Sequence, residues 1–134
     1  MKLVLLLMYT MLFSQVESFL PMPGISCDIS RCNHAPSTPA FKECIYNLHQ
    51  EEDKKLNILY IQAMHMNIKN QLSGLTNIKY KQKLKTIQKY WLLLRDYQCL
   101  LESEIFAPDS AKEYFCLCEM TKNRNQDLQR IIQN

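Results

Sequence analysis

The sequence predicts an all-α protein: a three-helix antiparallel bundle with an irregular N-terminal arm, stapled by disulfides. Three observations predict it. Apolar residues recur at helical spacing over three long stretches, and none alternates with the period of two that a half-buried strand needs. The chain's five prolines and two glycines fall at the ends of those stretches or between them. Six cysteines, Cys27, Cys32, Cys44, Cys99, Cys116 and Cys118, make an even set in a 134-residue chain and read as a disulfide framework.

The first element is not part of the bundle. Residues 1–18 have the pattern of a secretory signal peptide: Lys2 at the start, an apolar run from Leu3 to Phe13 broken at Thr10, and Val16 and Ser18 at the −3 and −1 positions of a cleavage site after Ser18. The run falls short of the roughly 20 apolar residues that span a bilayer. No cysteine stands at the cleavage point to carry a lipid. The expectation is therefore a secreted or periplasmic protein, with no stable membrane insertion of the mature chain. All six cysteines follow the cleavage site, as an oxidising destination requires.

Residues 19–37 hold Pro21, Pro23, Gly24 and Pro36 and read as an irregular arm pinned by Cys27 and Cys32. Residues 38–134 form the helical domain. Its first helix starts with Thr38 as cap and Pro39 in the first turn. The apolar face runs through Phe41, Cys44, Ile45, Leu48, Leu56, Leu59, Ala63 and Met66. A break follows at 73–77, where Gly74 suits a helix end. The second helix runs from about Asn77 to Ser103, with a predicted seam of Tyr80, Leu84, Ile87, Trp91, Leu94, Gln98 and Leu101 at alternating spacings of four and three. Pro108 and Asp109 interrupt the chain. Ser110 to Glu113 then offer a capping box for a third helix, whose stripe is Tyr114, Leu117, Thr121, Arg124, Leu128 and Ile131.

Formal net charge is +3, too mild to mark a nucleic-acid binder. Lys79, Lys81, Lys83, Lys85 and Lys89 form a solvated helix face, because no aromatic residue among them is free to stack on bases.

Polar residues intrude on every seam. Trp91, Arg95 and Cys99 share one face, with Asp96 beside them. Thr121 and Arg124 interrupt the third stripe, while Asp53, Asn57 and Tyr60 lie along one side of the first helix. A buried arginine needs a carboxylate in reach. Asp53 is the first candidate for Arg95 or Arg124 and Asp96 the second. The expected role is a structural network that fixes helix register. His49 with Asp53 at i, i+4 is the one arrangement suggestive of acid–base or metal chemistry, and neither H-E-x-x-H nor a nucleophile elbow occurs. The prediction is no enzyme, no metal and no cofactor.

Among the cysteines, a bridge from Cys99 to Cys116 spans the second connection, and Cys32 can clamp onto Cys44, which leaves Cys27 with Cys118. Six cysteines allow 15 pairings, and spacing does not choose among them. Zinc-finger spacings are absent, and Cys116 and Cys118 stand too close for the usual ligand pair.

Four segments together resemble a known family. "CNHAPSTPAFKEC" puts eleven residues between Cys32 and Cys44. "DKKLNILY" holds Asp53, Leu56, Asn57 and Tyr60. "QKYWLLLRDYQC" holds Gln88, Trp91, Arg95, Asp96 and Cys99, and "CLCEMTKNRNQDL" holds Cys116, Thr121, Arg124 and Leu128. In this order and spacing they resemble the LprI-type lysozyme inhibitors, small exported bacterial helical proteins, over residues 32–132. Cys27 and Cys118 look additional to that pattern. The resemblance implies an exported binding protein whose partner is a lysozyme, blocked by protein–protein contact without chemistry. Glu51, Glu52 and Phe106 are the candidate contacts, together with the arm at Phe19, Leu20 and Met22. An exported interaction or scaffold module directed at a host or envelope protein is the alternative.

Overall fold

The computed structural model describes residues 27–68, 75–106 and 110–133. The signal-peptide segment, the arm before Cys27, the break at Gly74 and the Pro108-Asp109 connection lie outside the described residues. Among the described residues there are three α-helices: α1, Thr38–Met64; α2, Asn77–Phe106; and α3, Lys112–Gln133. No strand occurs among the described residues.

Each helix starts on a hydroxyl. Ser37, not Thr38, caps α1: it is extended at φ −155° and ψ 164°, and its Oγ accepts from Ala40 N. Thr38 is already helical, so the cap falls one residue earlier than expected and Pro39 still sits in the first turn. Thr76 Oγ1 accepts from Lys79 N ahead of α2, and Ser110 Oγ accepts from Lys112 N ahead of α3. At its far end α1 stops at Met64, so Met66 lies beyond the helix. The described part of the arm is not wholly irregular. Ile29–Cys32 forms one 3-10 turn, capped by Asp28 accepting from Ser30 N.

The helices run up, down and up. Glu52 meets Asn125, and Leu56 packs with Leu128, so α1 and α3 run parallel. Cys99 bonds Cys116 while Leu84 reaches Leu128, so α2 runs antiparallel to α3. Both α1 and α2 pack on α3, and α1 lies closer to it than α2 does. Long side chains such as Arg95 and Tyr80 carry the contact between α1 and α2.

The core divides along the bundle axis. At the arm end lie Cys27, Cys32, Ile45, Leu48 and Cys118, with Phe41, Tyr114 and Phe115 packed against them. At the other end lie Leu56, Leu59, Ala63, Leu84 and Leu128, flanked by Tyr60, Tyr80, Trp91 and Ile131. Three cysteine pairs stand at disulfide distance, all at the arm end: Cys27–Cys118, Cys32–Cys44 and Cys99–Cys116.

The predicted seam of α2 is corrected. Residues buried on α2 are Leu84, Gln88, Arg95, Cys99 and Ser103. Ile87, Leu94 and Leu101 face solvent, each more than half exposed. The reason is that α2 packs on α3 through polar partners, Gln88 to Arg124 and Arg95 to Thr121. These turn the neighbouring apolar row outward. Among the described residues, no helix is long and apolar enough to cross a membrane.

Candidate functional site

Between the two apolar clusters runs a belt of polar side chains drawn from all three helices. Arg95, on the inner side of α2, is its hub. Nη1 donates to Asp53 Oδ1 on α1 at 2.8 Å and to Thr121 Oγ1 on α3 at 3.0 Å, while Nε donates to Asp96 Oδ1 at 2.8 Å. Thr121 in turn donates its hydroxyl proton to Leu117 O at 2.7 Å. One guanidinium therefore holds three helices, and its planar fork makes that geometry available where a lysine would not.

Burial decides what this hub contributes. The Arg95 side chain is 9% exposed, but its carboxylates are 34% exposed at Asp53 and 58% at Asp96. Water still reaches the acids, so their desolvation cost is modest, and the arginine alone bears the burial. A second layer lies next to it. Arg124 Nε donates to Gln88 Oε1 at 3.0 Å, and burial pushes its pKa down from the usual guanidinium value. Trp91 lies within cation–π reach of both cations, with Arg95 Cζ 5.3 Å and Arg124 Cζ 5.8 Å from the ring centroid. This explains why a tryptophan stands one turn before a buried arginine in an otherwise aliphatic stretch: its π-face supplies attraction where carboxylates are few.

Asn125 completes the belt on the α1 side. Its Nδ2 donates to the Glu52 carbonyl oxygen at 3.0 Å and to Glu52 Oε2 at 2.8 Å. His49 lies buried nearby, its Nδ1 without a hydrogen-bond partner among the described residues, and burial, followed by the Arg95 charge, holds its pKa below the ordinary value. At the arm end, Arg31 forms a forked pair with Glu51, at 2.8 and 3.1 Å. That contact lowers the Glu51 pKa.

The structure brings together Asp53, Trp91, Arg95, Asp96, Thr121 and Arg124. It does not bring in Asn57, which is exposed. Asn57 lies about 100° around the helix from buried Leu56, whereas Asp53 lies only about 60° away and still reaches inward. Tyr60 is half-buried against the lower apolar cluster rather than in the belt. Glu52 turns toward Asn125 instead of outward, Glu51 is held by Arg31, and Phe106 projects freely from the end of α2 at 72% exposure. Gln88, Asn125 and His49 belong to the belt although sequence reasoning did not place them there. For Gln88 a signal existed: it lies seven residues before Arg95, on the same helical row.

The geometry defines a class first: a small disulfide-stapled helical bundle whose chemistry-bearing side chains are turned toward one another. Within that class the family is specific. The model of the family described as "Lysozyme inhibitor LprI" matches residues 30–128, and the chain belongs to that family. The match spans the bundle from the 3-10 turn to Leu128 and begins after Cys27. No curated protein and no solved structure matches the chain. Family membership fits a protein-binding inhibitor rather than an enzyme, and the disulfides fit an exported one.

Proposed function

We propose that this protein is an exported lysozyme inhibitor, delivered by a cleaved signal peptide over residues 1–18 and acting by occluding a lysozyme cleft. The observation that carries this reading is the family match over residues 30–128, which takes in most of the helical bundle. The polar belt supports it indirectly, since its side chains are engaged with each other and leave contact to the outer surface. In this reading the belt is structural. Asp53, Trp91, Arg95, Asp96, Thr121 and Arg124 set helix register, while two bridges hold the arm against α1 and α3 and the third ties α2 to α3.

The partner would meet the protein through Phe106, the Glu51 edge and the arm. Phe106 is the most exposed large apolar residue described. Net charge of +3 gives no long-range attraction toward a basic lysozyme, so recognition rests on short-range contact. The test is a cell-wall clearing assay with a panel of lysozymes and the exported, oxidised protein. The expected result is a dose-dependent loss of clearing that reduction abolishes and that Phe106→Ala weakens about tenfold or more. Unimpaired clearing by every lysozyme, with a helical circular-dichroism spectrum intact, would overturn it and favour an exported scaffold module instead.

A further inference from the structure

α2 is amphipathic in the reverse of the usual sense. Toward the bundle it presents Gln88, Arg95 and Ser103 beside Leu84 and Cys99; toward solvent it presents Ile87, Tyr90, Leu94, Tyr97 and Leu101. The exposed residues repeat at spacings of three and four, with Ile87, Leu94 and Leu101 exactly one heptad apart. That is the a/d pattern of a helix that packs on another helix along a left-handed seam. Leu93, Leu100 and Ile105 widen the stripe on its flanks.

We infer that this face of α2 pairs with the same face of a second copy of the chain, the two helices running antiparallel across a twofold axis. Area is the first argument. The seam and flanking side chains are between 43% and 70% exposed. At roughly 150–250 Å² for a large side chain, they offer on the order of 800 Å² per copy, what each partner contributes to a standard specific interface.

Self-complementarity is the second. A twofold interface brings one patch onto itself. With the axis between Arg95 and Asp96, Leu94 faces the partner's Tyr97 and Tyr90 faces the partner's Leu101, while Ile87 comes opposite the partner's Glu104 at the edge of the seam. On the flank, Leu93 and the partner's Leu100 lie within two residues of the same level, about 3 Å along the helix axis. No large apolar side chain between Tyr90 and Leu101 is left without an apolar counterpart.

Charge selects the direction. The first half of α2 carries Lys79, Lys81, Lys83, Lys85 and Lys89 and no acid; its second half carries Asp96, Glu102 and Glu104, with Arg95 turned inward. Parallel pairing would set lysines against lysines. Antiparallel pairing sets the basic half of each helix against the acidic half of the other, and brings Lys83 within reach of the partner's Glu104.

The experiment is sedimentation equilibrium of the exported, oxidised chain over a micromolar to millimolar range. The expected result is a reversible dimer. Leu94→Glu should raise its dissociation constant on the order of 100-fold or more, since two copies each lose an apolar anchor and gain a buried charge. An unchanged circular-dichroism spectrum would show that the fold persists. Lys83→Glu and Glu104→Lys should each weaken the dimer several-fold, and both changes in one chain should restore it, which parallel pairing would not allow. A monomer at every concentration overturns the inference, as does a dimer indifferent to Leu94→Glu. Loss of lysozyme inhibition by Leu94→Glu in a protein that never dimerises would assign the face to the lysozyme, overturning this inference while leaving the inhibitor reading intact.

Discussion

The two ends of the bundle hold together by different means. Among the described residues the buried aliphatic side chains of the arm end are Ile45 and Leu48, and three disulfides surround them. At the opposite end Leu56, Leu59, Ala63, Leu84 and Leu128 form a conventional apolar cluster, with no cysteine near it. Burying one such side chain contributes about 1.5–3 kcal/mol. The arm end therefore has too little apolar area to hold the segment around Cys27 and Cys32 against two helices. It relies on constraining the unfolded chain. The difference teaches that bridge placement follows the shortage of core, which is where a short exported domain has most to gain.

The largest expected effect comes from breaking the arm end. Cys27 and Cys118 are 91 residues apart in sequence, and closing so long a loop is worth about 4–5 kcal/mol in the chain-entropy account. The double variant C27S/C118S should lose about that much, read as the midpoint shift in urea unfolding. The other two bridges close shorter loops, with separations of 12 and 17, so each should cost less.

The open end supplies the next largest effect. Leu128 is fully buried between α1 and α2, and Leu128→Ala should cost about 3–4 kcal/mol through lost transfer energy and the cavity left behind. Measuring this cost in both the parent and C27S/C118S sharpens the comparison. Equal costs, within about 0.5 kcal/mol, mean that the two ends act independently across the polar belt. A smaller cost in the double variant would mean that the belt couples them, and the division into two ends would fail.

How much of this was legible follows from where each helix keeps its apolar residues. On α1 the apolar face points inward, so period alone found Ile45, Leu48, Leu56, Leu59 and Ala63. On α2 the same reasoning chose Ile87, Leu94 and Leu101, which face out. Periodicity finds the apolar stripe of a helix but not the side that meets its neighbour. Gln88 and Arg95 win that side because Arg124, Thr121 and Asp53 stand ready to pair with them. Such pairing is a tertiary fact, invisible along one helix. Asp53 and Asp96 as partners of a buried arginine were legible, because a buried guanidinium needs carboxylates and few were near, but the choice of Arg95 over Arg124 was not. Asn125 was not: its partner Glu52 lies 73 residues away and looks like a surface acid.

His49 gives the smallest effect and the most direct reading of the belt. It is 6% exposed, its Nδ1 has no hydrogen-bond partner among the described residues, and Arg95 is the nearby cation. Protonation would place a second positive charge beside the hub, opposed only by Asp53 and Asp96, which already serve Arg95. Burial and Arg95 therefore hold its folded-state pKa below the ordinary 6.5. Between those two values the unfolded chain binds more protons than the folded one. Stability is then full above pH 6.5, falls as pH drops through that value, and levels off below the folded-state pKa. Urea midpoints measured from pH 7.5 to pH 5 should trace this decline, and the slope should shrink in His49→Gln, which keeps a polar side chain but cannot titrate. An unchanged slope in that variant would move the pH response away from the belt.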